Sequence, residues 1–178
     1  MKKLNLRYFG IILVVVIISC FFHEFGHYIT GETLGNKMTM NLNMASALNG
    51  YAEPWHALLV YAGGPFFTLI QAVVALILLT YYSQNLFLYV LVMEPVTLRI
   101  WPYLVSPFMS QDEAKIAGYL DIAPWIIPAI TWIILGILAW AGSRKLKVSA
   151  KFTGLTSLLI LIAFQIVLHA NNLVVSMI

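Results

Sequence analysis

One short segment of the chain contains residue types that can bind a metal ion and activate a water molecule. His23-Glu24-Phe25-Gly26-His27 is an HExxH motif. On a helix the two histidines lie one turn apart on one face, so both imidazoles can reach the same ion while Glu24 leans over its open position. Two histidine ligands, a third ligand from elsewhere and a glutamate general base make up a zinc hydrolase site. The motif therefore predicts that His23 and His27 bind Zn²⁺ and that Glu24 is the catalytic base.

The position of this motif separates it from a chance match. It directly follows the apolar segment 9–22, in which only Gly10 and Ser19 are not hydrophobic. Ionisable groups at membrane depth cost about 2.5–3.5 kcal/mol each on insertion scales. Because of this cost, such groups usually have a functional role. A metal site is therefore favoured over three polar side chains that are merely solvated at a helix end.

The composition indicates that the helix carrying the motif belongs to a membrane protein. Of the 178 residues, 61% are hydrophobic and 10% are charged, and the mean hydropathy is +0.89. A soluble domain carries roughly 25% charged residues, so lipid must be the solvent for most of this chain. This composition excludes a cytosolic enzyme and a disulfide-stapled secreted scaffold. The net charge is +3, but the basic residues form no basic face that would bind a nucleic acid.

Five apolar stretches are long enough to cross a bilayer, for which a helix needs about 20 predominantly apolar residues. We predict an all-α, multi-pass membrane protein with one transmembrane domain over 1–178, a catalytic core over about 8–121 and two additional helices. The first span also has features of a signal peptide, but bulky Ile17 and Ile18 disfavour cleavage, so we expect this helix to be retained. The predicted spans are 8–29, 55–82, 86–109, 122–142 and 153–175.

Basic residues are distributed unevenly between the two sides of these spans. With the N-terminus in the cytoplasm, seven basic residues lie in cytoplasmic segments and only Lys37 and Lys115 lie in outer segments. The positive-inside rule favours this orientation, and we expect a multi-pass protein of the cell membrane. The seven cytoplasmic residues are Lys2, Lys3, Arg7, Arg144, Lys145, Lys147 and Lys151.

The segment between the first two spans, 31–54, is too polar to cross the membrane and too apolar for an ordinary loop. Asn49-Gly50 supplies a turn signal near its end. We predict a short membrane-associated β-hairpin here, although an amphipathic surface loop would have a similar pattern. The prediction depends on four apolar residues that alternate with polar ones at the period of a β-strand, namely Met38, Met40, Leu42 and Met44.

The third metal ligand should lie on the same side of the membrane as His27, at the end of an odd-numbered span or the start of an even-numbered one. Glu94 is disfavoured, because it lies on the third span about 22 Å from that end at 1.5 Å per residue. Arg99, on the same span, must pair with an acidic residue such as Glu94 or extend to water. Chain topology alone leaves five candidate ligands, which are His56, Asp112, Glu113, Asp121 and His169.

The chain resembles the site-2 protease family of intramembrane zinc metalloproteases. Three segments carry the resemblance. They are HEFGH at 23–27, Gly64-Pro65-Phe66-Phe67-Thr68, which is similar to the family's Gly-Pro-x-x-Asn element, and Ser110-Gln111-Asp112-Glu113, which stands where the family has an aspartate ligand. The resemblance implies that Zn²⁺ is the cofactor and Asp112 its third ligand, with Glu113 the next candidate. Thr68 replaces the family's Asn, and Glu113 replaces a Gly.

The same resemblance implies a transmembrane substrate, whose helix must unwind before cleavage because its amides are internally hydrogen-bonded. A β-strand can replace those hydrogen bonds by pairing with the unwound segment. We therefore expect the partners to be a membrane-protein substrate and the lipid bilayer, without a nucleic acid. The residues expected to contact the substrate are Met38, Met40, Leu42, Met44, Gly64 and Pro65.

Two other functions are compatible with the sequence. A catalytically inactive pseudoprotease would keep the metal site and hold membrane partners without cutting them, although binding alone does not require Glu24. A small membrane transporter would line an ion path with histidines and carboxylates, but the five spans show no inverted repeat. Bacterial relatives in the family place the active site toward the cytosol, whereas the charge count places 31–54 outside. The sequence indicates neither the substrate nor the oligomeric state.

Overall fold

The computed structural model describes residues 5–108 and 111–177. Its helices are α1 (Leu6–Thr33), α2 (Pro54–Tyr81), α3 (Leu86–Val105), α4 (Asp112–Tyr119), α5 (Ile126–Leu146) and α6 (Ala150–Val175). Between α1 and α2, the strands β1 (Met38–Met40) and β2 (Ala45–Ala47) form a two-stranded antiparallel sheet. Lys2, Lys3 and Ser110, which entered the predictions above, lie outside the described residues.

Five helices are long and apolar enough to cross a membrane, namely α1, α2, α3 over Leu86–Leu104, α5 and α6. The predicted fold class, all-α with five spans and a small hairpin after the first, is confirmed. The third helix ends at Val105 rather than near 109, because Pro107 disfavours helical backbone in the residue before it. The short α4 was not predicted, since it is too short and too polar for a span.

Side-chain caps determine where two of the long helices begin. Asn85 Oδ1 accepts hydrogen bonds from the backbone amides of Phe87 and Leu88, and the Ser149 hydroxyl accepts one from Phe152. Such caps satisfy amide donors that have no partner within the first turn of a helix. The polar residues between the apolar runs therefore locate the starts of α3 and α6.

The hairpin differs in detail from the prediction, in which the strand alternation runs from Met38 to Met44. Its register pairs Met38 with Ala47 and Met40 with Ala45. The first strand ends at Met40 because the Asn41 side chain accepts a hydrogen bond from the Asn43 amide at 2.8 Å and closes a turn. Leu42 and Met44 consequently lie outside both strands. The predicted turn at Asn49-Gly50 follows β2, where Gly50 has a φ of 75°.

Contacts divide the chain into two compact units, each built from separate segments. Unit 1 contains the described residues of 1–19, 69–98 and 134–178, and its core is mainly apolar. Hydroxyl groups on different helices pair within this core, because a polar group in apolar surroundings needs a partner. The pairs are Tyr8 with Thr156 at 3.0 Å, Tyr89 with Thr153 at 3.0 Å and Thr97 with Ser157 at 3.2 Å.

Unit 2 contains 20–68 and the described residues of 99–133. Within it, α1 and α2 approach closely at two glycines, since a Cβ at Gly26 or at Gly63 would overlap the backbone carbonyl of the other. This close approach brings α2 directly against the HExxH face of α1. The hairpin and α4 belong to the same unit. So do the other two segments that carry the family resemblance, 64–68 and the described residues 111–113.

Candidate metal centre

The first helix presents the two histidines as the sequence predicts. It continues to Thr33, so the whole HExxH segment lies within regular helix. The ring centroids of His23 and His27 are 4.7 Å apart, and the ring planes are almost perpendicular. Glu24 and His27 are buried, while His23 is half-buried. One helix face therefore holds two imidazoles and a carboxylate in surroundings from which most water is excluded.

Asp112 completes a compact group of three ligand atoms. Nε2 of His27 lies 3.2 Å from Nε2 of His23 and 3.2 Å from Oδ2 of Asp112, and Nε2 of His23 lies 3.4 Å from that oxygen. Among the described residues, His23, His27 and Asp112 are the group that could hold a metal ion. The three residues predicted as ligands are thus brought together at a single point.

The fourth helix positions Asp112. Asp112 is its first residue, and two contacts hold the helix against the start of α2: the Lys115 ammonium lies 4.5 Å from the Tyr61 ring centroid, and the Tyr119 hydroxyl donates to the Pro54 carbonyl at 3.0 Å. Burial raises the pKa of the Asp112 carboxyl, but hydrogen bonds with His23 and His27 outweigh it and hold that pKa well below its usual range. Asp112 is therefore ionised at neutral pH, as a metal ligand must be.

The other ring nitrogens of the two histidines are bound by α2. His27 Nδ1 donates to the Val60 carbonyl at 2.6 Å, and His23 Nδ1 lies 3.0 Å from the Thr68 hydroxyl. Such bonds fix the tautomer and orientation of a metal-binding histidine and leave Nε2 for the metal. Thr68 is buried, and its hydroxyl contact orients the His23 ring. The site-2 protease family, which the sequence resembles, has Asn at this position. Sequence reasoning noticed Thr68 only as a departure and missed this contact.

Gly64 lies directly against the two imidazoles. A Cβ at this position would overlap Nε2 of His27 and Cε1 of His23. The requirement for glycine here comes from ring packing, because any side chain would displace both ligands. Pro65 follows in α2 and is half-buried. No contact of either residue identifies a substrate position, so their predicted role in substrate binding stays a prediction.

The second strand of the hairpin lies beside Glu24. The Ala45 backbone lies near the Glu24 carboxylate. The bonds from Leu48 N to Lys37 O and from Asn41 N to Met44 O join the two strands. Because alternate residues of an antiparallel pair point their backbone groups outward, the amide and carbonyl groups of Ala45 and Ala47 lie on the outer edge of β2.

The four apolar hairpin residues predicted to contact substrate have different surroundings. Met38 is 6% exposed and packs on Gly31 of α1, where a Cβ would overlap its side chain. Its amide donates to Glu32 Oε1 at 2.8 Å, which occupies the outer edge of β1. Met40 and Leu42 are half-buried, and Met44 is exposed. Met38 therefore anchors the hairpin, and the outer edge beside Glu24 belongs to β2.

A buried ion pair next to the triad was missed by sequence reasoning. Arg99 Nη1 lies 3.0 Å from Oε1 of Glu113, and their side chains are 12% and 1% exposed. Arg99 Nη2 lies 2.7 Å from His23 Nδ1 and 3.2 Å from His23 Nε2. Arg99 thus pairs with Glu113, a partner that is neither of the two alternatives offered by the sequence, Glu94 and water. An arginine inside an apolar span was the sequence signal, but its partner could not be chosen from spacing.

The remaining candidate ligands are not members of this group. His56 is buried and lies 3.2–3.3 Å from the side-chain amide of Asn36. The Oδ1 atom of Asn36 accepts a hydrogen bond from the Ala52 amide. It therefore helps to fasten the segment between the hairpin and α2. Asp121 is exposed, with a φ of 53° just after α4. Glu94 and His169 belong to unit 1.

Comparisons with protein-family models, curated proteins and solved structures find no match for this chain. The family resemblance therefore remains a prediction from three sequence segments. What the fold adds independently is the convergence of those segments, which are separated by tens of residues along the chain, on three ligand atoms and one buried glutamate.

Proposed function

We propose that this chain is an intramembrane zinc metalloprotease that hydrolyses peptide bonds in or near transmembrane segments of membrane proteins, within a cell membrane. The observation that supports this most is the triangle of His23, His27 and Asp112, with its sides of 3.2–3.4 Å, beside the buried carboxylate of Glu24. A metal site that merely stabilises a fold is closed by four protein ligands. Three protein ligands with an adjacent glutamate are the composition of a hydrolytic site.

The residues present fit zinc. Nitrogen and oxygen ligands placed tetrahedrally at about 2.0–2.1 Å from Zn²⁺ are separated from one another by about 3.3–3.4 Å. The three sides of the triangle match this separation, and imidazole and carboxylate are both common zinc ligands. Charge supports the same conclusion. The carboxylates of Asp112 and Glu113 outnumber the guanidinium of Arg99, and a divalent cation would neutralise the excess.

The residues of the chain divide the chemistry between them. When bound, Zn²⁺ supplies a Lewis acid that lowers the pKa of a coordinated water to about 7. Glu24 is the group placed to accept a proton from the attacking water and to pass it to the leaving amine. Val60 and Thr68 hold the imidazoles in orientation, and Gly64 leaves room for them. The apolar lining of the spans excludes bulk water, which strengthens each of these electrostatic interactions.

The outer edge of β2 is the surface we assign to the substrate backbone. An unwound transmembrane segment needs new hydrogen-bond partners, because lipid offers none. Ala45 and Ala47 present backbone groups on this edge, and Ala45 lies near Glu24. A substrate strand added here would lie beside the catalytic base.

The test is a comparison of Glu24→Gln with the wild-type protein in detergent micelles. Both are incubated with a library of peptides derived from transmembrane segments, and new termini are detected by mass spectrometry. We expect the wild type to cleave some peptides and Glu24→Gln to bind zinc normally without cleaving. Glu53→Gln, which changes an exposed glutamate just before α2, serves as the matched control and should behave as wild type. Cleavage by Glu24→Gln would overturn the role of Glu24.

A wild-type protein that binds zinc but cleaves nothing in this library or in co-expressed single-pass membrane proteins would overturn the protease assignment. That outcome corresponds to a pseudoprotease, which keeps the metal triad and loses the reaction. The two functions are thus separated by one pair of measurements, zinc content and peptide termini, on the same preparation.

A further inference from the structure

Arg99, in unit 2, makes more contacts than its ion pair with Glu113, because its guanidinium also reaches His23. Its Nη1 nitrogen lies 3.0 Å and 3.3 Å from the two carboxylate oxygens of Glu113. One nitrogen therefore makes both contacts with Glu113. The Nη2 nitrogen points away from Glu113 to the imidazole of His23, at 2.7 Å from Nδ1 and 3.2 Å from Nε2. A guanidinium carries five N–H donors in a rigid fork, so one arm can be anchored while the other binds elsewhere.

The contact between Nη2 and His23 depends on a free lone pair on the imidazole. A neutral imidazole has one nitrogen that accepts a hydrogen bond and one that donates. When Nε2 serves as a metal ligand, Nδ1 must carry the proton, and Thr68 at 3.0 Å is placed to accept it. Nδ1 then offers no lone pair to Arg99. The Nη2 donors would consequently be available to another acceptor next to the ligand triad.

We propose that Arg99 is a further catalytic residue, whose Nη2 group donates a hydrogen bond to the carbonyl oxygen of the scissile peptide while Nη1 stays paired with Glu113. This inference rests on the proposed protease function. As water adds to that carbonyl carbon, negative charge develops on the oxygen, and a fixed cation stabilises such charge strongly in a site with little water. Glu113, 1% exposed, anchors the guanidinium through Nη1 and leaves Nη2 to the substrate.

The role of Glu113 follows from the same geometry. It stands beside Asp112 at the start of α4, yet its carboxylate lies against Arg99 and outside the ligand group. A glycine at this position, as in the resembling family, could not hold Arg99. Glu113 is therefore a positioning residue for Arg99. This role gives a physical reason for the departure from the family pattern at position 113.

The test uses the full-length protein loaded with Co²⁺, whose visible spectrum reports ligands that enter the open position of the metal. Methylphosphonate, an anionic tetrahedral probe, and imidazole, a neutral probe, are titrated in parallel. Because Arg99→Gln alone leaves the Glu113 carboxylate unpaired and could fail to fold, the principal variant is the double change Arg99→Gln with Glu113→Gln. Arg99→Lys is the second variant, and Arg144→Gln, at an exposed arginine near the end of α5, is the matched control.

We expect the double variant to bind Co²⁺ as wild type does and to lose at least about tenfold in affinity for methylphosphonate, with imidazole affinity unchanged. Arg99→Lys should recover part of the loss, since it restores the charge without the fork. In peptide cleavage the double variant should lower kcat about 10²–10³-fold with little change in KM. Equal affinities of wild type and double variant for methylphosphonate would overturn the proposal, as would parallel losses for both probes.

The two proposals fail in distinguishable ways. If the wild type binds Co²⁺ and methylphosphonate but cleaves no peptide, the protease function fails while the phosphonate comparison still decides whether Arg99 binds an anionic oxygen at the metal. If the wild type cleaves peptides and the double variant cleaves equally fast, the protease function stands and the role of Arg99 is wrong. A wild-type protein that takes up no Co²⁺ overturns both.

Discussion

Both units of the molecule bury polar side chains, but they provide partners for them in different ways. Unit 1 buries hydroxyl groups that pair with each other across helices, as Tyr8 does with Thr156. Unit 2 buries ionisable groups, including Glu24, His27 and Glu113, within one cluster. A hydroxyl pair satisfies itself, whereas clustered carboxylates repel one another unless a cation lies among them, as Arg99 lies beside Glu113. The type of buried polar group therefore distinguishes the unit in which such groups contribute to packing from the unit that contains the candidate site.

Unit 1 also buries an ionisable side chain. Glu94 is 3% exposed and belongs to the described part of unit 1. It lies five residues before Arg99 on α3, and the sequence offers it, beside water, as one of two possible partners for that arginine. The ion pair forms instead with Glu113, in the unit that contains the triad. Proximity along a helix is thus a weaker guide than the fold of the following segment.

The largest expected effect comes from breaking the buried ion pair. Arg99→Met leaves the Glu113 carboxylate without its cation, and removing one member of a buried pair costs about 3–5 kcal/mol in the free energy of unfolding. The double variant Arg99→Met with Glu113→Leu should recover most of this loss, because no uncompensated charge remains. Reversible unfolding in mixed micelles measures both. A single variant as stable as wild type would show that Glu113 does not depend on Arg99.

We expect a smaller effect, on zinc affinity, from a change at Gly64, which lies against the imidazoles of His23 and His27. Gly64→Ala places a methyl group where the two imidazoles lie, so the ligands must shift, and we expect a loss of about 10–100-fold in zinc affinity. Competition with a chromophoric chelator measures that affinity. Gly154→Ala in α6 is the matched control, because a Cβ there meets nothing within 4 Å. Unchanged zinc affinity in Gly64→Ala would contradict the packing described for this glycine.

The smallest effects come from two buried threonines, one in each unit. Thr68→Val removes the partner of His23 Nδ1 and should weaken zinc binding by about tenfold, near the lower end of the range for such outer contacts. Thr156→Val removes the partner of the Tyr8 hydroxyl and should cost about 0.6 kcal/mol of stability, with zinc binding unchanged. If both variants lowered only stability, Thr68 would be a packing residue like Thr156.

The convergence of the three candidate ligands was predictable because each is placed by local geometry or marked by a motif. His23, Glu24 and His27 share a helix face by their spacing, and Asp112 followed from the family resemblance. The Arg99–Glu113 pair and the contact of Thr68 with His23 were not predictable, since each joins separate segments whose approach depends on helix packing. The limits of β1 were missed for a different reason, because the Asn41 side chain ends an alternation that continues to Met44.

The most direct test of the metal site is elemental analysis of protein purified in detergent without chelators, as wild type, Asp112→Asn and Asp121→Asn. Asp112 lies 3.2–3.4 Å from the two histidine nitrogens, whereas Asp121 is an exposed aspartate of similar chemistry. We expect about one zinc per chain in the wild type and in Asp121→Asn, and a strongly reduced content in Asp112→Asn, since a neutral amide is a poor zinc ligand. Wild-type protein without zinc, or full zinc content in Asp112→Asn, would contradict the site proposed for this protein.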